Sequence, residues 1–534
     1  MSTIDQASGP DLIRKIQSLP AKRRRVLIAL LRRQGVDLSA LDSIPALERS
    51  TDEPVQLSYA QQRLWFLAQL DGTSAYYNIP LALRLRGPLN AAALVRAVKL
   101  VVDRQEVLRT RFVDREGVAY LKVTDGRDFA VREETVTDEA ELRRICEQET
   151  AAAFDLEHDP LIRVLLLRQT EQEHVLLVTM HHSISDGWSI GVFLRDLSAL
   201  YEAFCAGRPN PLEPLPVQYA DYAHWQRQWL VDDVQDRQVA YWQEQLAGID
   251  PTLSLPADHE RPAIRTYQGT RKGFRCPPEL LDRLRKISEQ HGVTLYMTLL
   301  TAYAVVLHRY TYETDIAVGT VVANRNRLEV EGLIGFFANT LVMRIDLSGD
   351  PDFHELLGQV RKTTLEAYEH QDVPFEAVVD ALQRERSLAH SPLFQTMVVL
   401  QEAQTDGETR LGELDVSSVN FDVGITKFDL TLDLRETLDG LAGAVEYDTA
   451  LFDPDTIERF IGHYTGLLAS IAADPGVPVS GLGMVGDTER RQVLDGWNDT
   501  RRPSSDDRCL HTWFEEVAAR RPDATAVTFG ESAL

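Results

Sequence analysis

Hydrophobic positions along the chain switch between a period of two and a period near 3.6, and the switching is organised in two similar blocks. In the first block, about 57 to 225, the pattern predicts a helix over Ser58–Leu70, a strand near Pro80–Arg86 and a helix over Asn90–Asp103. A hairpin follows in "VLRTRFVDREGVAYLKV", with its turn at Asp114–Gly117, and another helix starts near Asp138, where Asp138 and Glu141 are spaced for a capping box. The strands "LIRVLLLRQ" and "HVLLVTM" are almost wholly apolar, as interior strands are. The chain then leaves the sheet through His181 and His182. From Trp188 a helical face collects Ile190, Phe193, Leu194, Leu197, Leu200 and Phe204.

The second block, about 266 to 490, repeats the alternation without obvious identity. Helices over Glu279–Gln290 and Thr294–Tyr310 precede the strand "DIAVGTVVA". In "NTLVMRIDL", Leu341, Met343, Ile345 and Leu347 fall on one face, and Val342 and Arg344 on the other. The Pro-bearing stretch "LSLPADHERPAIRTYQG" joins the blocks. Two α+β halves joined in this way leave a cleft between them, a favoured place for ligands. The organisation expected is an N-terminal helical segment and linker (1–50), an N-lobe (51–225), a crossover (226–265), a C-lobe (266–490), and a linker with the start of a further domain (491–534). Residues 9 to 35 read as two short helices broken near Pro20. The second, "AKRRRVLIALLRRQG", is basic and amphipathic and stops at Gly35; it reads as a helical cap with a solvated basic face.

With 534 residues the chain is long enough for more than one globular unit, and 44% hydrophobic and 26% charged residues are ordinary for large cores. A net charge of −25 argues against nucleic-acid binding, which calls for a basic field. Cys146, Cys205, Cys276 and Cys509 form neither a zinc spacing nor a disulfide framework, which fits a reducing cytoplasm. No apolar run reaches membrane-spanning length, and "MSTIDQASGP" is not a signal peptide.

Candidate chemistry concentrates in "HHSISDG". Adjacent strand residues point to opposite faces, so both imidazoles cannot readily bind one ion, and no further ligands follow at metal spacing. No metal site is expected. On the same geometry only one imidazole can look into a cleft; a core role suits His181 and leaves His182 for acid–base work on an amine or hydroxyl attacking an activated acyl group. Neither a "GxSxG" elbow nor a low-pKa cysteine setting is present, so direct transfer between two bound substrates is expected in place of an acyl-enzyme. Asp186 in a tight loop anchors backbone or an arginine, and Gly187 permits positive φ and close approach.

These residues resemble a known family. "HHSISDG" matches the HHxxxDG motif of condensation domains of nonribosomal peptide synthetases. "SYAQQRLWFL" (58–67), "RQEVLRTRF" (104–112), "YADYAHWQ" (219–226), "IGFFANTLVMR" (334–344), "HQDVPFE" (370–376) and "RSLAHSPLFQ" (386–395) resemble its other motifs, in order. The resemblance covers about 57 to 490. It implies an α+β fold like chloramphenicol acetyltransferase, a pseudo-dimer of two lobes in a V around a central tunnel, and amide-bond formation between two carrier-bound substrates. It places His182 in the tunnel, as base or as positioning group, with His181 in support. It pairs Asp186 with Arg63 or Arg344, sets the Gly187 backbone next to the thioester, and puts Trp188, Ser189 and Asn339 near the tunnel wall. One departure is Gln105, where the second motif usually has histidine; this touches local packing and not catalysis.

The first motif and "YYNIP" look like the subtype joining an L-configured donor to an L-configured acceptor, and 510–534 resembles the opening of an adenylation domain. The resemblance implies no cofactor of the domain itself, since substrates ride on phosphopantetheine arms of carrier proteins. If Met1 is the natural start, the donor carrier comes in trans, and the acceptor carrier is expected downstream in cis, beyond the adjoining adenylation domain. No nucleic acid or membrane partner is expected. Two rival classes share the fold. An epimerization domain would need a different first motif and a further acidic group, and a non-catalytic recruiting module usually loses the histidine or the glycine. A heterocyclization domain would carry aspartates in place of the paired histidines.

Overall fold

The structure is a computed structural model that describes residues 43–48, 53–71, 75–383, 387–401, 411–419, 421, 423–500 and 509–534. The basic helix expected over Ala21–Arg33 lies outside them. The chain divides into two compact units, one through Met484 and a small one from Val485 to Leu534.

In chain order the first half of the large unit has α1 (Tyr59–Asp71), β1 (Asn78–Arg86), α2 (Ala91–Arg104), the hairpin β2 (Thr110–Arg115) and β3 (Val118–Val123), β4 (Val131–Thr135), α3 (Glu139–Ala151), β5 (Ile162–Arg168), β6 (Glu173–His181) and α4 (Gly187–Cys205). Helices α5 (Tyr219–Trp229) and α6 (Asp233–Gln245) lead to the second half. There β7 (Gly269–Cys276), α7 (Pro278–His291), α8 (Leu295–Thr311), β8 (Asp315–Val322), β9 (Asn339–Asp346), α9 (Phe353–Glu369), α10 (Phe375–Ala381), β10 (Thr396–Gln401), β11 (Asp415–Ser418), β12 (Leu430–Thr437), β13 (Gly440–Asp448) and α11 (Pro454–Ala473) follow. The small unit holds α12 (Leu510–Arg520) and a short hairpin pairing Thr528–Phe529 with Ser532–Ala533.

Most helices start and stop where patterning places them, because local capping agrees with it. Asp138 accepts from Glu141 N at 2.8 Å, but the Glu141 carboxylate reaches past the cap to Thr137 N and Oγ1, so the reciprocal box is displaced by one residue. The hairpin turn is closed by Gly117 N donating to Asp114 Oδ1 at 3.0 Å, with Glu116 and Gly117 both at positive φ.

Two sheets carry the large unit. The first has the order β11-β1-β6-β5-β4 and the second β9-β8-β10-β12-β13-β7. Strand β6 is the middle strand of five and is buried on both faces: Leu176, Val178 and Met180 join the core under α2 and α4, while Val175 and Leu177 pack with Leu142 and Cys146 of α3. The pattern of β9 predicts one apolar face, yet Val342 is as buried as Leu341 and Met343, because both faces of that strand are covered. Among the described residues no single helix is long and apolar enough to cross a membrane.

The halves interpenetrate at two places. Strand β11 comes from the second half and pairs antiparallel with β1 at the edge of the first sheet. The segment 323–338, between β8 and β9, enters the first half's core, where Val330, Leu333, Ile334 and Phe337 pack with Val192, Tyr219 and Tyr222. Gln105 receives this segment: its Nε2 donates to Gly332 O and its Oε1 accepts from Ile334 N, both at 3.0 Å. The departure from the family's second motif is thus satisfied at both ends of its amide. Gly335 passes over the Tyr219 ring so closely that a Cβ would lie 2.0 Å from it.

The pairing expected for Asp186 is corrected here. Its partner is neither Arg63 nor Arg344 but Arg325, at 3.2 Å, with both side chains almost wholly buried. Arg344 is taken bidentately by Asp315 of the neighbouring strand β8, and also donates to Gln245 O and Ala247 O. Arg63 pairs with Glu376 at 2.8 Å. Arg325 donates to Val330 O and Leu333 O, stacks over Phe337, and reaches Asp186 Oδ1 and Ser189 Oγ. Asp186 in turn accepts from Ser189 N as the cap of α4, and its Oδ2 accepts from Phe337 N and Ala338 N. One carboxylate therefore starts a helix of the first half and holds the inserted segment of the second.

Asp186→Ala should accordingly act through folding. It leaves Arg325 buried without its counter-charge, at a cost of about 3–5 kcal/mol. Chemical denaturation should show that loss, with Asp186→Asn falling between it and the parent. A fully stable but inactive Asp186→Ala protein would move this residue into the chemistry.

Candidate active site

The two histidines sit at the end of β6. His181 pairs across the sheet with Asn78 and donates its backbone N–H to Leu161 O; the next N–H, of His182, goes to Tyr77 O at 2.7 Å. The loop then turns tightly, with Ile184 N donating to His181 O, and α1 holds it through Gln61 Nε2 to Ser183 O at 3.0 Å. Alternation along the strand sends the rings to opposite sides, as the sequence predicted. His181 is fully buried between the edges of Tyr77 and Phe154. His182 is half-buried and faces Phe336 of the inserted segment, with ring centroids 4.4 Å apart.

Their hydrogen bonds fix opposite tautomers. Ser183 N lies 3.2 Å from His181 Nδ1, and a backbone N–H can only donate, so Nδ1 is the acceptor and the proton sits on Nε2. Among the described residues that Nε2 is buried with no hydrogen-bond partner; with its lone pair on Nδ1 taken by Ser183 N, the ring has no path to a substrate. His182 is the reverse. Its Nδ1 lies 2.9 Å from Ser185 O, and a carbonyl can only accept, so Nδ1 carries the proton and Nε2 keeps a lone pair. Both rings are held at about 3, well below the usual imidazole range: burial is the main cause for each, and the Lys427 cation adds to it. For His182, Arg63 pushes in the same direction, while the bond to Ser185 opposes. The protein thus presents one neutral imidazole with a free Nε2.

Gly187 is the first residue of α4 and is exposed, and among the described residues nothing beyond its own helix and chain neighbours lies within 4 Å of where a Cβ would be. The sequence suggests a need for positive φ, but the residue does not adopt it. What distinguishes the position is open space beside the histidine loop. The other expected wall residues are tied into the scaffold. Trp188 Nε1 donates to Glu331 O at 3.0 Å. Ser189 is fully buried, its Oγ 2.7 Å from Asp186 Oδ1 and 3.0 Å from Gly335 N. Asn339 donates to Gln371 O and Val373 O and accepts from Phe375 N, so it clamps the "HQDVPFE" turn that starts α10 at Pro374. Arg63 reaches that same turn through Glu376.

Sequence reasoning passes over four residues that build the site. Arg325 sits in "ANRNRL", which reads as loop, and Phe336 lies within a motif without standing out from its aromatic neighbour. Tyr77 acts through its carbonyl, which any residue has. Lys427 lies in "GITKFDL", where one lysine carries no pattern; its ammonium is 4.9 Å from the Tyr77 ring centroid. Burial first, and Arg63 second, lower its pKa to about 8 against the pull of Glu446.

The profile of the family described as "Condensation domain" matches residues 52–494. Malpinin synthetase of Mortierella alpina is 44% identical over 500 residues, covering 93% of this chain and 6% of that protein. Phosphinothricin tripeptide synthetase PhsC of Streptomyces viridochromogenes is 40% identical over 533 residues, 97% of this chain and 48% of that protein. The chain thus spans less than half the length of these relatives. Among solved structures, the X-domain from teicoplanin biosynthesis superposes with a TM-score of 0.75 at 33% identity, over 83% of this chain and 100% of that one. A four-domain nonribosomal peptide synthetase bound to AMP and glycine gives 0.77 at 22% identity, over 92% of this chain and 38% of that one. With its two interlocked α+β halves of the chloramphenicol acetyltransferase type, the chain belongs to the condensation-domain family of nonribosomal peptide synthetases, whose members form peptide bonds between carrier-bound substrates.

Proposed function

We propose that this chain joins an L-configured aminoacyl donor to an L-configured aminoacyl acceptor, each delivered as a thioester on the phosphopantetheine arm of a carrier protein. The observation that carries the reading is the locked tautomer of His182, which leaves Nε2 unprotonated on a ring that packs against Phe336, in the same loop as the open space at Gly187. The L/L assignment draws support from "YYNIP", a stretch whose Tyr77 carbonyl accepts from the His182 backbone and whose Asn78 lies opposite His181 in the sheet. The helix and short hairpin of 510–534 accord with the start of an adenylation domain. Sparse, unpaired cysteines accord with the cytoplasm.

The chemistry asks little of the protein. A thioester is already activated, and an α-amino group is partly unprotonated near neutrality, with a pKa of about 7.7–8.0 in model peptides. Most of the acceleration then comes from holding nitrogen and carbonyl carbon together. As the C–N bond forms, the nitrogen becomes strongly acidic, so even a weakly basic imidazole can take its proton. His182 Nε2 then returns that proton to the departing thiolate. His181, with its lone pair committed, supports the loop and carries no proton. The competing reading as a recruiting module is answered by the same site: such a module has no use for a free imidazole or for empty space at Gly187.

The direct test is intact-mass analysis of loaded donor and acceptor carriers mixed with the protein, watching for a dipeptidyl acceptor carrier. His182→Ala should slow its appearance by on the order of 10²–10⁴, while the fold survives. If the histidine mainly positions the amine, the loss will be smaller and will vary with the acceptor. Parent rates in folded His182→Ala protein would remove the assignment.

The pH profile follows from the depressed imidazole. Because His182 stays neutral far below pH 6.5, its protonation cannot shape the neutral range; the rate should climb with pH through the pKa of the acceptor amine and then level. A second inflection between about pH 6 and 7, where an ordinary imidazole titrates, would contradict this in single-turnover rates.

Gly187→Ala separates space from backbone. The position has ordinary φ and begins a helix, so the variant should fold as well as the parent or slightly better. Its methyl group projects into the open space, and displacing the reactants there should slow condensation by up to about 10²-fold. Unchanged turnover would mean that the substrates do not use that space.

A further inference from the structure

Lys427 is held by its backbone, and among the described residues its ammonium makes no ion pair. Residues 424–429 are zipped to 265–269: Gly269 N donates to Gly424 O, Thr426 N to Tyr267 O, and Gln268 bridges Ile425. The contact is close enough that a Cβ on Gly269 would lie 2.5 Å from Thr426. Arg265 donates to Lys427 O, and Arg265 is itself buried against Asp429 and Asp448. The neighbouring carboxylates are already engaged, Asp429 by Arg261 and Arg265, and Asp433 by Arg271. Among the described residues no carboxylate forms an ion pair with the Lys427 ammonium, which instead lies over Tyr77, the residue whose carbonyl holds the His182 backbone. Glu446, the acid whose charge bears on it, is hydrogen-bonded to Thr426 and shared with Arg271.

A half-buried cation without a paired counter-ion is costly unless something negative arrives. The phosphate of a phosphopantetheine arm lies at the far end of that arm from the thioester, so the negative charge that forms beside His182 is the thioester oxygen. We propose that Lys427 is the electrostatic partner of the reacting carbonyl, stabilising the charge that develops on its oxygen. The inference rests on the reading of His182 as the reaction centre. When the acceptor nitrogen bonds to the carbonyl carbon, the π pair moves to the oxygen facing the ammonium. The pair returns as the C–S bond breaks, and the proton lost by nitrogen passes through His182 Nε2 to the thiolate sulfur. The same positive field, reinforced by Arg63, disfavours an ammonium on the incoming amine and an imidazolium on His182, and so keeps nucleophile and base in their working forms.

The test compares Lys427→Met, Lys427→Gln and Lys427→Arg in single-turnover condensation with loaded carriers, alongside thermal melts. Removing the charge should lower the maximal rate by on the order of 10²–10³, the span for a lost oxyanion donor, with little change in the dependence on carrier concentration. The acid limb of the pH profile should also move up, because the acceptor amine that sets it loses a cationic neighbour. Lys427→Arg should recover much of the rate. Parent rates in either neutral variant would overturn the proposal, as would a loss that Lys427→Arg shares in full or one confined to carrier affinity. If the parent protein itself made no dipeptidyl carrier, the reading of the function would fail; an active parent with an indifferent Lys427 would sink this inference alone.

Discussion

The buried contact between Asp186 and Arg325 is the constraint on which the site depends. A carboxylate inside protein needs its lone pairs filled, and this one is filled from both halves: by the first turn of α4 on one side, and by Arg325 and the backbone of Phe337 and Ala338 on the other. The same contact fixes where α4 begins, which sets Gly187, and where the inserted segment runs, which sets Phe336 against His182. A pair of this kind is weak as a source of net stability and strong as a determinant of register, because every alternative arrangement leaves a buried charge alone.

How much of this is legible in the sequence depends on the reach of each signal. The choice between His181 and His182 follows from the two-residue period of a strand, and hydrogen bonding to Ser183 and Ser185 then assigns each its tautomer. That Asp186 anchors something is readable from its place before a helix. What it anchors is not, since Arg325 is brought to it by the path of the segment between β8 and β9, which no local pattern encodes. Ser189, Trp188 and Asn339 show the converse. Their motif positions suggest the substrate path, but their polar atoms are consumed by Asp186, Glu331 and the turn before α10. Gly187 stands out in the sequence for a conformational freedom it does not use, because its backbone is ordinary and its surroundings are empty.

Electrostatics divides the molecule in two scales. The chain as a whole is strongly acidic, with a net charge of −25. Around His182 the sign reverses, with Arg63 and Lys427 both bearing on the ring and burial preventing water from screening them. An acidic exterior with a cationic interior is consistent with a site organised around neutral reactants that become polar only as they react.

Strand β11 has a consequence for how the chain reaches this state. The edge of the first sheet along β1 is covered by residues 415–418, which are made long after β1 itself. Until they emerge from the ribosome, β1 offers an open row of amide and carbonyl groups to any passing strand. The first half therefore spends most of its synthesis as an aggregation-prone intermediate, and a fragment ending anywhere before β11 keeps that exposed edge for good. Expression boundaries for this protein are set by the return of one four-residue strand, which closes the end of β1 that lies remote from the histidine loop.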